Sequence, residues 1–505
     1  MNFLIFWLIL ERLTRCHSQN KRAFVKGDIL LGGLFPVHDW DRDKCGSLNP
    51  DRGVQRLEAM MYALDYIEEK KILPGIRLGA EMFDTCSFYH KALNESLRFV
   101  PIWNLKQKIR GVVGGAVSKV SVYVSNLMVL FKQTQISYAS TSAILSDRFV
   151  HSLFARTVPS DVQQAKALAE VSEINSILYL LHDLEFKLRM ESASFSGLGQ
   201  NLDYIQENST QYEDSVAYHN WTYVSTVKSA GSYGEPGMKA FIEEAAKLNI
   251  CISVKETIQE NAEKATVRNI VEELEKESNK AKVVVLFVSM TDAALLLEVI
   301  SEMNYKDRFI FISSDGWGRE KIPVNDKEEV ANGAITIEIE AEEVPEFTEY
   351  FKSLRLPNNR NPWFQEYWNS LFNCNSDDRM KEKSPNCTGE SRNQLRDHLP
   401  ANFKSEAKVK FILDAVFTFA YALRHLQVML CDNAPQPVST EKCIDLLNNY
   451  AGDEFYKILT DNEIQVMRND VNIVTFENNK NQEMMHFFGY EENFTGKSLC
   501  LWWNG

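Results

Sequence analysis

Short apolar runs and amphipathic stretches alternate along most of this chain. Asp28 to Leu34 is apolar enough for a buried strand. Val54, Leu57, Met60, Met61, Leu64 and Ile67 then recur at helical spacing, and Ile76, Leu78, Ala80 and Met82 return to a period of two. The predicted unit is strand, helix, strand. It continues through Gly111 to Gly114, Gln135 to Tyr138, Trp221 to Val227, Ile250 to Val254, Lys282 to Val288 and Phe309 to Ser313. Consecutive parallel strands need a helical crossover, so this order predicts an α/β fold of mostly parallel sheets with helices on both faces.

A chain of 505 residues exceeds the roughly 250 to 300 at which one hydrophobic core stops growing, so two lobes are expected. Hydrophobic residues at 45% and charged residues at 25% exclude a disordered chain. No repeat or low-complexity tract appears. The net charge of -14 gives no basic concentration able to neutralise phosphates, so a nucleic-acid partner is not expected.

Asn2 to Leu10 is one apolar run followed by Glu11, Arg12 and Arg15, the pattern of a signal peptide over residues 1–19. No later stretch approaches the about 20 apolar residues of a membrane span, so the polypeptide as written is expected to be lumenal or secreted. Among nine cysteines, Cys374/Cys387 and Cys431/Cys443 are spaced for loop-closing disulfides, and Cys45 and Cys86 are a further candidate pair. Neither Cys-x-x-Cys nor His-x-x-x-His occurs, so no metal is expected. Sequons at Asn94, Asn208, Asn220, Asn386 and Asn493 suit a secretory route.

In doubly wound sheets, ligands lie beyond the carboxyl ends of strands, where loops lead into helices. That rule selects Ser118, Thr141, Asp161, Tyr233 and Asp315, although each also reads as a cap or turn residue. No nucleophile elbow, phosphate loop or dinucleotide fingerprint follows a strand, so neither an enzyme nor a cofactor is expected.

Several longer words carry more. Arg52-Gly53-Val54-Gln55-Arg56-Leu57-Glu58-Ala59-Met60 resembles the first helix of the metabotropic glutamate receptor family, in the subgroup with two arginines there. Gly32-Gly33-Leu34-Phe35-Pro36-Val37-His38 is similar to its opening strand, and Gln135-Ile136-Ser137-Tyr138-Ala139-Ser140-Thr141-Ser142 to its ligand loop. Asn220 to Ser225, Ser314-Asp315-Gly316-Trp317 and Arg360-Asn361-Pro362-Trp363-Phe364 are similar again, so the resemblance runs from about residue 28 to about 430 with one gap.

The resemblance implies a two-lobed clamshell of the periplasmic-binding-protein type. Residues 24–157 and 341–455 would form lobe 1, and 158–340 and 456–505 lobe 2. Its ligand would be L-glutamate or a similar α-amino acid, whose two carboxylates and one ammonium each need an opposite partner, because an unpaired buried charge costs several kcal/mol. Ser118 and Thr141 would take the α-carboxylate. Asp161, Asp315 and the ring of Tyr233 would take the ammonium, and Arg52, Arg56 and Lys408 the distal carboxylate. Ligand-driven closure would carry the signal. Helices from Val54 to Glu69 and from Lys119 to Lys132 would form a homodimer face in lobe 1. In a full-length receptor at the cell surface, a cysteine-rich stalk and seven-helix bundle would reach a G protein.

Three departures stand against this pattern. The segment between Phe99 and Gly111 is short and lacks the cysteine that links protomers in the family. Residues 171–219 hold an atypical insertion of roughly forty residues, too long for a structureless loop in a compact domain. The chain stops at Gly505, before any stalk, which leaves Cys251 without its usual partner and Cys500 as a substitute. A fragment, a splice form, a soluble decoy and a related class C ectodomain for another amino acid or ion are the alternatives.

Overall fold

A computed structural model describes residues 21–41, 43–100, 109–172, 223–306, 308–339, 341–356, 359–372, 395–400 and 402–461, with the backbone of short strands at 466–468, 471–473, 485–489 and 498–499. The proposed signal peptide, the insertion, Cys374, Cys387, Cys500, Asn208, Asn220, Asn386 and Asn493 lie outside the residues whose side chains are described. Asn94 is exposed. The chain forms two compact units. One is built from Met1–Ser140, Arg148–Val158 and Ala341–Asn478, the other from Thr141–Asp147, Pro159–Glu340 and Asn479–Gly505.

The first unit holds a six-stranded sheet. Its strands are β1 (Ala23–Val25), β2 (Ile29–Phe35), β5 (Leu78–Asp84), β6 (Ile109–Val113), β7 (Thr134–Ser137) and β8 (Phe154–Arg156), in the order β1-β5-β2-β6-β7-β8. β3 (His38–Asp41) and β4 (Lys44–Leu48) form a separate hairpin. Only β1 runs antiparallel within the six. β2 and β5 are buried along their whole length, as their near-continuous apolar sequences require of a sheet covered on both faces. β2 has β5 on one side and β6 on the other, so the strand order reverses there. The carboxyl ends of those strands are the place to look for a site.

Two helices start beside that reversal. A π-helical turn, Pro50–Gln55, runs directly into α1 (Arg56–Glu69); Asn49 accepts a hydrogen bond from the Arg52 amide, and Pro50 supplies the preset backbone of a first helical position. Gly53 is needed for packing. A Cβ there would lie 2.5 Å from the Cα of Val37. α2 (Tyr89–Ser96) is followed by α3 (Ser118–Leu130), which begins five residues after β6 ends.

The second unit has α4 at 161–172 and then β9 (Tyr223–Ser229), α5 (Gly234–Lys247), β10 (Cys251–Ile258), α6 (Lys264–Lys276), β11 (Val283–Phe287), α7 (Met290–Glu302), β12 (Ile310–Ser313) and β13 (Ile335–Ile339). Sheet order is β10-β9-β11-β12-β13, extended by Met485–Gly489 and Ser498–Leu499. β9 to β13 are parallel, and Met485–Gly489 joins antiparallel. One face packs on α6 and α7 through Val267, Val271, Leu274, Leu296 and Ile300, the other on α4 and α5 through Leu168, Met238 and Phe241. Strand order reverses again, between β9 and β11. The mixed order predicted from hydrophobic periodicity is therefore present in both units. Among the described residues no helix is long and apolar enough to cross a membrane.

Cys45–Cys86 ties the β3–β4 hairpin to the end of β5, and Cys431–Cys443 closes the loop after the long helix of residues 409–427. Cys251 is exposed and free of a disulfide. Beside the first bridge, Nδ1 of His38 lies 2.6 Å from Asp84 Oδ2 and Nε2 lies 3.1 Å from Glu366 Oε1. Burial alone would lower the pKa of His38, but its hydrogen bonds to Asp84 and Glu366 outweigh burial and raise it above 6.5. A raised folded value means the stabilisation is complete below 6.5 and is lost as pH rises through the folded pKa. The wild-type melting temperature is accordingly expected to fall by about 2 °C between about pH 6.5 and 8.5 relative to His38→Gln. Parallel melting curves for the two proteins across that window would show that the clasp contributes nothing.

Candidate functional site

In the first unit, Arg56 opens α1 and is 4% exposed, Arg52 sits one turn earlier, and Lys408 caps α11, the helix Val409–Gln427. (α8, α9 and α10 are Glu328–Ala331, Pro345–Ser353 and Phe364–Phe372.) The three cations are gathered around a residue that sequence reasoning missed, Glu406. Arg56 Nε donates to Glu406 Oε2 at 3.0 Å and Nη2 to Oε1 at 2.7 Å, a parallel two-bond pair. The Lys408 amide donates to the same Oε2 at 3.0 Å, and the Glu406 amide donates to Gln55 Oε1 at 3.0 Å. Burial would raise the Glu406 carboxyl, but Arg56, Lys408 and Arg52 together hold it below the ordinary carboxylate value. Arg56 also lies over the Tyr138 ring, its Cζ 5.6 Å from the centroid.

Ser118 is the first residue of α3 and is buried. First-turn amides of a helix have no intrahelical acceptor and point outward along the axis, which suits an anion. The approach to this helix is fixed by hydroxyls: the Gly115 carbonyl accepts from Ser137 Oγ at 2.7 Å and from Ser121 Oγ and Ser140 Oγ at 3.1 Å each. That explains the serines at the end of β7 and just after it, since one turn is held by side chains from a strand end, a loop and a helix.

The second unit collects acceptors. The Tyr233 hydroxyl donates to Asp315 Oδ1 at 2.9 Å, lies 2.8 Å from Ser314 Oγ and accepts from the Gly316 amide at 3.0 Å. Gln164, also missed from sequence, joins the two acids: its Nε2 donates to Asp161 Oδ1 and to Asp315 Oδ1 at 3.0 Å each, and its Oε1 accepts from the Asp315 amide at 3.0 Å. The Asp161 amide in turn donates to the Thr141 carbonyl at 2.8 Å. Burial, then Asp315 and Asp161, push the Tyr233 phenol well above its ordinary value, so it stays a neutral donor. Gly316 is required here, because an added Cβ would stand 2.0 Å from the Val288 carbonyl and 2.9 Å from the Tyr233 hydroxyl. Trp317, fully buried, anchors the same turn.

Ser118, Thr141, Asp161, Tyr233 and Asp315 follow the carboxyl ends of β6, β7, β8, β9 and β12, whereas Arg52, Arg56 and Lys408 stand at the starts of helices that no strand of the two main sheets immediately precedes. Arg52, Arg56 and Lys408 come together, and Asp161, Tyr233 and Asp315 come together with the Thr141 backbone. The arrangement offers guanidinium and ammonium donors to a carboxylate in one unit, and two carboxylates with an aromatic hydroxyl to a cation in the other. Among the described residues, His38, Asp84 and Cys86 are grouped closely enough for a metal, but the Cys86 sulfur is spent on its disulfide and both His38 ring nitrogens face carboxylates.

The chain matches the Receptor family ligand binding region over residues 55–175 and 212–477. It is 32% identical to the metabotropic glutamate receptor of Drosophila melanogaster over 98% of this chain and 53% of that protein. It is 35% identical to metabotropic glutamate receptor 8 of Mus musculus, and equally of Homo sapiens, over 84% of this chain and 44% of theirs. The chain therefore spans about half the length of the curated relatives it matches.

Proposed function

Because the chain belongs to the receptor ligand-binding-region family, we propose that it is the extracellular ligand-binding domain of a metabotropic glutamate receptor and binds a free acidic α-amino acid, L-glutamate, without chemical conversion. The observation that carries this reading is the segregation of charge. Three cations gather in one unit, and two carboxylates with a tyrosine hydroxyl gather in the other. A zwitterion with an extra carboxylate needs such a pair of opposite surfaces, whereas a small neutral ligand has no use for the basic group.

In this reading Arg52, Arg56 and Lys408 meet the distal carboxylate, Ser118 and Thr141 the α-carboxylate, and Asp161, Tyr233 and Asp315 the ammonium. The ligand's differential affinity for alternative conformations of the domain is the signal. The domain stands on the extracellular side, pairs as a homodimer through its first unit, and acts on a G protein only within a longer receptor.

The test is calorimetric titration of the secreted chain with a panel of amino acids, glutamate and glutamine included. Thr141→Ala is expected to weaken every α-amino acid about tenfold, because a hydroxyl bond to a carboxylate is lost regardless of side chain. An unchanged titration removes Thr141 from carboxylate binding, and a panel with no acidic preference overturns the ligand assignment.

A further inference from the structure

We infer that Glu406 is a specificity-determining residue: it is a built-in counter-charge that sets how strongly the basic group of the first unit prefers an acidic over a neutral ligand side chain. The inference rests on the site reading above and deepens it. Three cations alone would present a charge of +3. Glu406 lowers that to +2 without leaving the cluster, since its carboxylate accepts from Arg56 Nε, Arg56 Nη2 and the Lys408 amide at once.

Its placement is over-determined. The Glu406 amide is tied to Gln55, the residue just before Arg56, and its carboxylate grips the Nε–Nη2 edge of the Arg56 guanidinium. Arg56 is nearly buried and packed over Tyr138, so the fork cannot swing away to exchange partners without unstacking from the ring. The Glu406 side chain is itself only 14% exposed. Its negative charge is therefore screened weakly by solvent and is felt by any group bound to the same cations.

Glu406→Gln keeps the shape and an acceptor oxygen while removing the charge. The ratio of glutamate to glutamine affinity is expected to rise about fivefold, because a charge a few ångströms from the ligand's distal group no longer opposes it. Affinity for alanine and serine should not move. Glu406→Asp keeps the charge on a shorter arm, and its ratio should remain within about twofold of wild type. Calorimetric titrations of the three proteins with glutamate, glutamine and alanine decide the matter, with melting curves to check folding. A ratio that is unchanged or lower in Glu406→Gln overturns the inference, as does a shift in Glu406→Asp as large as that in Glu406→Gln. Should Glu406→Gln not fold, Glu406→Asp alone decides, since a ratio changed more than about threefold would mean that pair geometry and not charge sets the preference. Wild-type protein with no preference for glutamate over glutamine overturns the ligand reading and this inference together. A wild-type preference indifferent to position 406 overturns this inference alone.

Discussion

Arg56→Ala is expected to weaken L-glutamate about 100-fold while costing alanine or serine no more than about threefold. The guanidinium is buried, as is the Lys408 side chain, and its orientation is fixed on two sides, by Glu406 along one edge and Tyr138 across one face. Arg52 is half-buried, and Lys408 offers a point charge on a flexible stem, so neither replaces a rigid fork. The substitution also leaves Glu406 without its principal partner, and removal of one member of a buried pair destabilises. Arg56→Lys separates the two effects: it keeps a cation near Glu406 and loses the fork, so its melting temperature should stay nearer wild type while glutamate affinity still falls. Equal losses for glutamate and alanine in calorimetry would refute the distal-carboxylate role.

Asp315→Asn is expected to weaken every α-amino acid about 100-fold, glutamate and alanine alike, with little change in melting temperature. Asparagine can still accept from Tyr233 and Gln164 through its carbonyl oxygen, and the backbone bond to Gln164 is untouched. What disappears is the charge, half of the negative pair formed with Asp161. The uniform loss across ligands is the signature of ammonium capture, just as the selective loss at Arg56 is the signature of side-chain reading. Wild-type affinity in Asp315→Asn would remove this residue from the site.

Most of the architecture was legible because a parallel α/β order writes itself as alternating periods of two and of three to four. Strands such as Ile29–Phe35 and Val283–Phe287 are apolar throughout, and no other environment suits them. The site residues were legible only through whole words such as those around Arg52 and Asp315, since each alone reads as a surface cation or a turn. Two central residues escaped. Gln164 lies three positions after Asp161, the helical spacing that places both on one face, and that spacing was available as a signal. Glu406 stands two residues before Lys408 at the start of a long helix, where an acid is ordinary for the helix dipole, so nothing local marks it. Its partner is Arg56, a separation of 350 residues that only the fold closes.

The first unit is assembled from chain segments that lie far apart in translation. Its sheet is complete by Arg156, yet α11 supplies Ile412, Leu413, Val416, Phe419 and Leu423 to its interior, and a Cβ at Gly111 would strike the Phe419 ring. At ribosomal speeds of about 5–20 residues per second, the earlier strands wait roughly 12–50 seconds for that helix to emerge. During the interval an apolar sheet face stands uncovered. The first unit's core is therefore closed by the segment translated latest, and a chain cut before residue 409 would leave that apolar face without its cover.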